Sequence, residues 1–193
     1  LAVGHFAIFV PAGSPHASMA DLARAFEADP GSIAWDAGAK GSVAHLFVAF
    51  LARTVGADAA RVRLAPAGGA GATAGVAPVR EALAAMREGR VRVLAVTAPS
   101  AVAGVRSLKE QGVNLVFGQW AGLFAGPGLK PTHRDDLLLR VKAATETPAW
   151  KALLAERGWS PAWQQGSDYA RFLDEESRSL GYLARSLGLA VRR

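Results

Sequence analysis

The chain has 193 residues, 51% of them hydrophobic, a mean hydropathy of +0.17 and no cysteine. That length leaves room for one domain or two small lobes around a real core, the composition excludes a disordered tail, and the missing thiols exclude disulfides and thiolate metal sites. A net charge of +6 and a pI near 10.3 raise the question of nucleic acid, but the arginines fall singly or in pairs ("RVR", "GRVRV", "VRR") and the aromatic residues do not interleave with them, so a basic surface that attracts acidic ligands is the better reading.

Short apolar runs alternate with helical patterns from the start. "HFAIFV" (5–10) predicts a buried strand, closed by the turn-rich "PAGSP". Ser18 caps a helix over 19–28, with Asp21 in the capping-box position. "DPGS" stops that helix and "IAW" (33–35) is a second strand. A glycine-rich loop follows, and Ser42 is an N-cap for a helix reaching about residue 55. "RVRL" (61–64) predicts a third strand, and "APAGGAGATAG" (65–75) a low-complexity loop. Pro78 suits the first position of a helix over 79–88, ended by Gly89. "VRVLAVT" (91–97) is a strand, "SLKEQG" (107–112) a short helix ended by Gly112, and "VNLVFGQWAGLFAG" (113–126) a long extended segment. Helices over 131–145, 148–157 and 167–189 complete the chain. Strand and helix alternating through residue 126 argue for an α/β layer with a parallel sheet. No apolar run reaches the roughly 18 residues a bilayer requires. "LAVGHFAIFV" also lacks the basic region and cleavage site of a signal peptide.

Gly38, Lys40, Gly41 and Ser42 stand where the second strand gives way to a helix. Ligands of α/β sheets bind beyond the carboxyl ends of the strands, where helix N-termini offer unpaired N–H groups and a partial positive charge. The order Lys40-Gly41-Ser42 is not the Gly-Lys-Ser/Thr of a phosphate-binding Walker loop. A carboxylate therefore fits better, the bland alternative being glycines that only turn the chain. Gly69, Gly71 and Gly75 are spaced one residue too long for a dinucleotide fingerprint, and the acidic residue expected about 20 positions on is missing. That loop is left as flexible, or as a second wall of the same pocket.

Ser42, His45 and Asp36 invite a hydrolase reading, yet Ser42 and His45 lie three apart on one helix and no G-x-S-x-G elbow exists. A serine cap and a first-turn histidine explain both, and no catalytic residue is assigned. His45 either donates to a bound carboxylate or sits half-buried. Histidines only at 5, 16, 45 and 133 form no metal-ligand pattern. Neither metal nor cofactor is expected. Trp120 lies in the extended run, either as core or lining a cleft where such a strand passes between lobes. Trp150, Trp159 and Trp163 flank helix ends and pack the tail.

Taken together the segments resemble the periplasmic solute-binding receptors of tripartite tricarboxylate transporters, the Bug receptors. "FAIFVPAGSPHASMADLARAFEADPGSIAWDAGAKGSVAHL" is similar to the opening of that family's second lobe. "REALAAMREGRVRVLAVTAPS" resembles its helix, turn and "LAV(T/S)" strand, and "SLKEQGVNLVFGQWAGLFAGPGLKP" its "LxEQGV" helix and tryptophan-bearing crossover. "TPAWKALLAERGWSP" and "FLDEESRSLGYLARSLGL" resemble the closing helices.

The resemblance implies an α/β, type II periplasmic binding-protein fold with two lobes and a hinge, the first lobe incomplete here. Residues 1–118 would be the second lobe with its ligand loops, and 119–193 the crossover strand and C-terminal helices of the first. It implies ligand contacts at Ala39, Lys40, Gly41, Ser42 and His45, at Gly75, Val76 and Ala77, and at Trp120 near the hinge. The ligand would be a mono- or dicarboxylate, the partners membrane permease subunits, the compartment the periplasm, and there would be no catalysis. Two departures stand out. The family's own first-lobe start has no counterpart here, so the helical tail would pack on strands that are missing; and a helix the family carries is absent near residues 71 and 72. The rival reading is the ligand-sensing effector domain of a LysR-type transcription regulator, which shares the fold and needs an upstream helix-turn-helix. A small hydrolase is the third.

Overall fold

The computed structural model describes residues 1–66 and 68–188. Ala67 of the expected loop and Leu189 of the expected last helix lie outside the described residues. The chain begins with strand β1 (Ala2–Pro11), helix α1 (Met19–Ala28), strand β2 (Ala34–Asp36) and helix α2 (Val43–Thr54). Strands β3 (Arg63–Leu64) and β4 (Ala74–Pro78), helix α3 (Val79–Arg87) and strand β5 (Val91–Val96) follow. Strand β6 (Gly118–Ala121), helices α4 (Pro131–Glu146) and α5 (Pro148–Arg157), strand β7 (Trp159–Pro161) and helix α6 (Gly166–Ser186) end it.

The helix starts follow local chemistry. At α1 the Asp21 N–H donates to Ser18 Oγ at 3.1 Å, and the Ser18 N–H donates to Asp21 Oδ2 at 3.0 Å, a reciprocal capping box. Thr147 caps α5 by accepting from the Trp150 N–H at 3.2 Å. The expected helix over 107–112 contracts to a 3₁₀ turn at Lys109–Gln111, closed by Gly112.

β1 is longer than its apolar run because each half has its own partners. Its C-terminal half sits in a sheet ordered β3-β2-β4-β1-β5, and its N-terminal half pairs with β6 and β7. β3, β2 and β4 are mutually parallel, but β1 runs antiparallel to β4, β5, β6 and β7. The parallel sheet expected from the alternation is therefore corrected to a mixed one. Alternation along the chain says nothing about the direction of a strand inserted from elsewhere in the sequence.

A second correction concerns "AGVAP" (74–78), read as the end of a loop and the start of a helix. It is the central strand β4, with Asp36 of β2 opposite Gly75 on one side and Phe9 of β1 on the other. Phe9 explains the small residue: a Cβ on Gly75 would lie 2.3 Å from its ring carbon Cζ. Of the extended segment 113–126, only Gly118–Ala121 pairs as a strand.

Alternate residues of β1 face opposite layers. Phe6, Ile8 and Val10 join Met19, Leu22 and Phe26 of α1, Phe47, Val48 and Leu51 of α2, and Trp35 in the larger core. The Phe26 and Trp35 rings meet edge to face at 5.1 Å. Ala7 faces the other way, into a smaller core with Val79, Ala82 and Leu83 of α3.

α6 touches both halves of the molecule. Near its start Tyr169, Phe172 and Glu176 surround Trp120. Towards its end Leu183 is fully buried in the larger core, and the Arg53 guanidinium of α2 lies 4.6 Å from the centre of the Tyr182 ring. Twenty-one residues at about 1.5 Å each give the length for this span. α4, in contrast, buries none of its residues and leaves Leu137, Leu138 and Leu139 exposed. No helix among the described residues is long and apolar enough to cross a membrane.

Candidate functional site

Because β2 and β4 are parallel neighbours, α2 and α3 start at the same edge of the sheet. β1 passes that edge in the opposite direction. Phe6 pairs with Pro78, the last residue of β4, and one residue earlier His5 pairs with Gly118 of β6. The changeover of β1 between partners thus falls beside the first turn of α3. Two residues that sequence reasoning did not single out hold it. The buried Thr97 accepts the Phe6 N–H at 2.9 Å and donates to the Phe117 carbonyl at 2.7 Å. His5 donates from Nδ1 to the same carbonyl at 2.9 Å. No spacing rule marks these residues, since their partners lie 20 to 112 positions away.

The glycine loop joins β2 to α2 at this edge. Gly38 and Gly41 have φ of +69° and +85°, the left-handed region that glycine enters without steric penalty. Ser42 Oγ accepts the His45 N–H at 3.2 Å as an N-cap and donates to the Ala37 carbonyl at 2.8 Å. The Ser42 N–H donates to the Ala39 carbonyl at 3.0 Å, and the Gly41 N–H donates to Nδ1 of the His45 ring at 2.9 Å. The Gly41 amide is thus taken up internally. The N–H groups of Lys40, Val43 and Ala44 have no acceptor among the described residues. His45 is only 4% exposed. Burial, and then the charge of Lys40, hold its pKa below the ordinary histidine value.

The other expected contacts lie elsewhere around the same edge. Gly75, Val76 and Ala77 are in the strand ladder of β4, with Val76 turned into the larger core. Ala77 lines a hollow of about 510 Å³ between the 68–72 turn and α3, together with Phe9, Asp36, Gly69, Glu81 and Arg90. Trp120 pairs with Val3, three residues along β1 from Phe6 and hence about 10 Å from the Pro78 level. It borders a separate cavity of about 300 Å³ with His5, Phe117, Tyr169, Phe172 and Glu176. Its indole N–H donates to Glu176 Oε2 at 3.0 Å. Glu176 is a further partner that the sequence did not announce. No group of three or more metal-ligating side chains is gathered among the described residues.

Comparison with solved structures places this architecture. A TctC solute-binding protein from Polaromonas, without ligand, aligns with a TM-score of 0.69 and 21% identity over 97% of this chain and 67% of its own. An R. palustris protein with adipate gives 0.74 and 20% over 98% and 67%. MatC from Rhodopseudomonas palustris with bound malate gives 0.68 and 19% over 97% and 67%. The chain spans about two thirds of the length of these relatives, and the fold is that of periplasmic binding proteins, represented in part. No match is found among curated proteins. The comparisons lend the transcription-regulator alternative no support. The model of the tripartite tricarboxylate transporter family receptor, TctC, matches residues 1–189, and the chain belongs to that family.

Proposed function

We propose that the chain captures a small organic carboxylate in the periplasm and presents it to the membrane subunits of a transporter, without catalysis. The observation that carries this reading is the set of unpaired N–H groups at Lys40, Val43 and Ala44, at the N-terminus of a 12-residue helix and beside the changeover of β1. Such a helix end gathers donors and partial positive charge that suit a carboxylate. The similar proteins holding adipate and malate point to a dicarboxylate.

The contacts would come from Ala39, Lys40, Gly41 and Ser42, with His45 behind them, and from Gly75, Val76 and Ala77 leading into α3. Trp120 would face the ligand from across the changeover. Residues 1–118 would form one lobe and 119–193 part of the other, with α6 fastened to both. Binding would select the closed arrangement of the lobes. Ser42 supports the non-catalytic reading: its hydroxyl is committed to the Ala37 carbonyl, and the His45 ring is turned to Gly41 rather than to that hydroxyl.

Calorimetric titration and thermal unfolding with adipate, malate and a neutral diol test the proposal. Ligand at a hundredfold excess over Kd stabilises the folded state by about 2.7 kcal/mol, or roughly 5–10 °C for a chain of this size. A rise with a dicarboxylate and none with the diol is expected. No heat and no rise with either acid would refute it.

A further inference from the structure

Resting on the receptor reading, we propose that His45 is a positioning residue: its ring sets the carboxylate loop by accepting the Gly41 N–H, and does not itself touch the ligand. The ring nitrogen Nδ1 lies 2.9 Å from the Gly41 nitrogen, and the His45 backbone N–H is held by Ser42 Oγ at 3.2 Å. Histidine and serine thus secure the loop reciprocally, as in a capping box with imidazole in place of the usual carboxylate. Here the ring reaches one residue further back, to the residue before the cap.

A nitrogen that accepts carries no proton, so the neutral ring bears its proton on Nε2. With Gly41 turned inward, the N–H groups from Gly38 to Ala44 left without an acceptor among the described residues are those of Gly38, Ala39, Lys40, Val43 and Ala44. The histidine therefore decides which amides a ligand meets. Protonating Nδ1 would set two donors face to face and release Gly41, whose φ of +85° is held by this contact and the turn around it. Lys40, on the loop itself, is the charge that acts on the ring. Asp36 closes β2 just before the loop, while β4 and the segment 113–117 carry no titratable side chain. On α6, Tyr182 is engaged with Arg53. Carboxylate affinity should therefore weaken as the solution is acidified, in step with the loss of the Gly41 contact.

Two substitutions separate positioning from contact, because the Asn amide oxygen falls near Nδ1 and that of Gln near Nε2. In the full chain, nitrogen-15 NMR of the imidazole should find Nδ1 bare and Nε2 protonated at pH 8. Adipate titrations at pH 8 should find His45→Gln weaker by about fivefold, the order of one hydrogen bond. His45→Asn should restore the affinity, and in titrations carried down to pH 5 it should lose the part of the weakening that the unsubstituted chain shows below pH 6.5. A protonated Nδ1 in the free protein, or retention by His45→Gln with loss in His45→Asn, would overturn the proposal. If the unsubstituted chain binds no dicarboxylate, the receptor reading falls. The ring protonation and the hydrogen-exchange protection of the Gly41 amide then decide the role of His45 by themselves.

Discussion

Replacing Leu183 by Ala tests whether α6 belongs to the core of both halves. Leu183 is 0% exposed and lies in the cluster built by β1, α1 and α2, although its own helix starts against Trp120. Leu→Ala removes about three methylene equivalents at roughly 0.8 kcal/mol each and leaves a cavity. A loss of about 3–4 kcal/mol follows, within the range measured for buried leucines. For a chain of 193 residues that lowers Tm by about 6–16 °C. Leu139→Ala is the control, since Leu139 is 68% exposed on α4 and should change stability by less than about 0.5 kcal/mol. Urea unfolding followed by circular dichroism gives both numbers. Amide exchange then checks where the loss is felt, and α2 should lose protection along with the last turns of α6. Equal small losses in the two variants would refute the docking of α6 on α2.

Ser18→Ala removes the acceptor of the Asp21 N–H and should cost about 1 kcal/mol in urea unfolding, with α1 fraying first in hydrogen exchange. Gly75→Ala should cost roughly 1–3 kcal/mol because the new Cβ meets the Phe9 ring, and adding Phe9→Ala should cancel the clash, leaving the cost of Phe9→Ala alone; the double-mutant cycle reads this directly. The folded His45 pKa lies below its unfolded value of 6.5, by burial first and Lys40 second, so the unfolded chain binds the proton more readily. Stability from this residue is complete above pH 6.5 and declines as the pH falls below it, and His45→Asn should flatten that limb of a plot of Tm against pH. Trp120→Phe removes the donor to Glu176, so its loss of about 1 kcal/mol should largely vanish in a Glu176→Ala background, which takes the acceptor away, whereas an equal loss in both backgrounds would mean the hydrogen bond contributes nothing.

What was legible in the sequence is local. Ser18 with Asp21, and Ser42, announce helix starts whose partners lie three residues away. The strand at 91–96 announces itself by its run of β-branched and aliphatic residues. β4 is the counterexample. Ala74 and Gly75 carry no strand signal, and Gly75 is small because Phe9, 66 positions earlier, occupies the space. β7 contains a proline and only three residues, and it exists because β1 offers an edge to it. The candidate site divides in the same way. Its place at the start of α2 is written in Gly38, Gly41 and Ser42. The capture of the Gly41 amide by His45, and of Trp120 by Glu176, depends on side chains whose aim no spacing fixes.

Since β1 serves two groups of partners through one continuous backbone, its length acts as a gauge that neither can alter alone. A strand exposes successive residues to opposite faces, so deleting one residue at Gly4 or His5 turns every side chain on one side of the cut to the wrong layer. Val3 would exchange faces opposite Trp120, or else Phe6, Ile8 and Val10 would leave the core and Ala7 would enter it. Substitutions can accumulate along this strand, but insertions and deletions cannot. Chains built on the same plan should therefore keep the length of the segment from Ala2 to Pro11, while loops outside the candidate site vary.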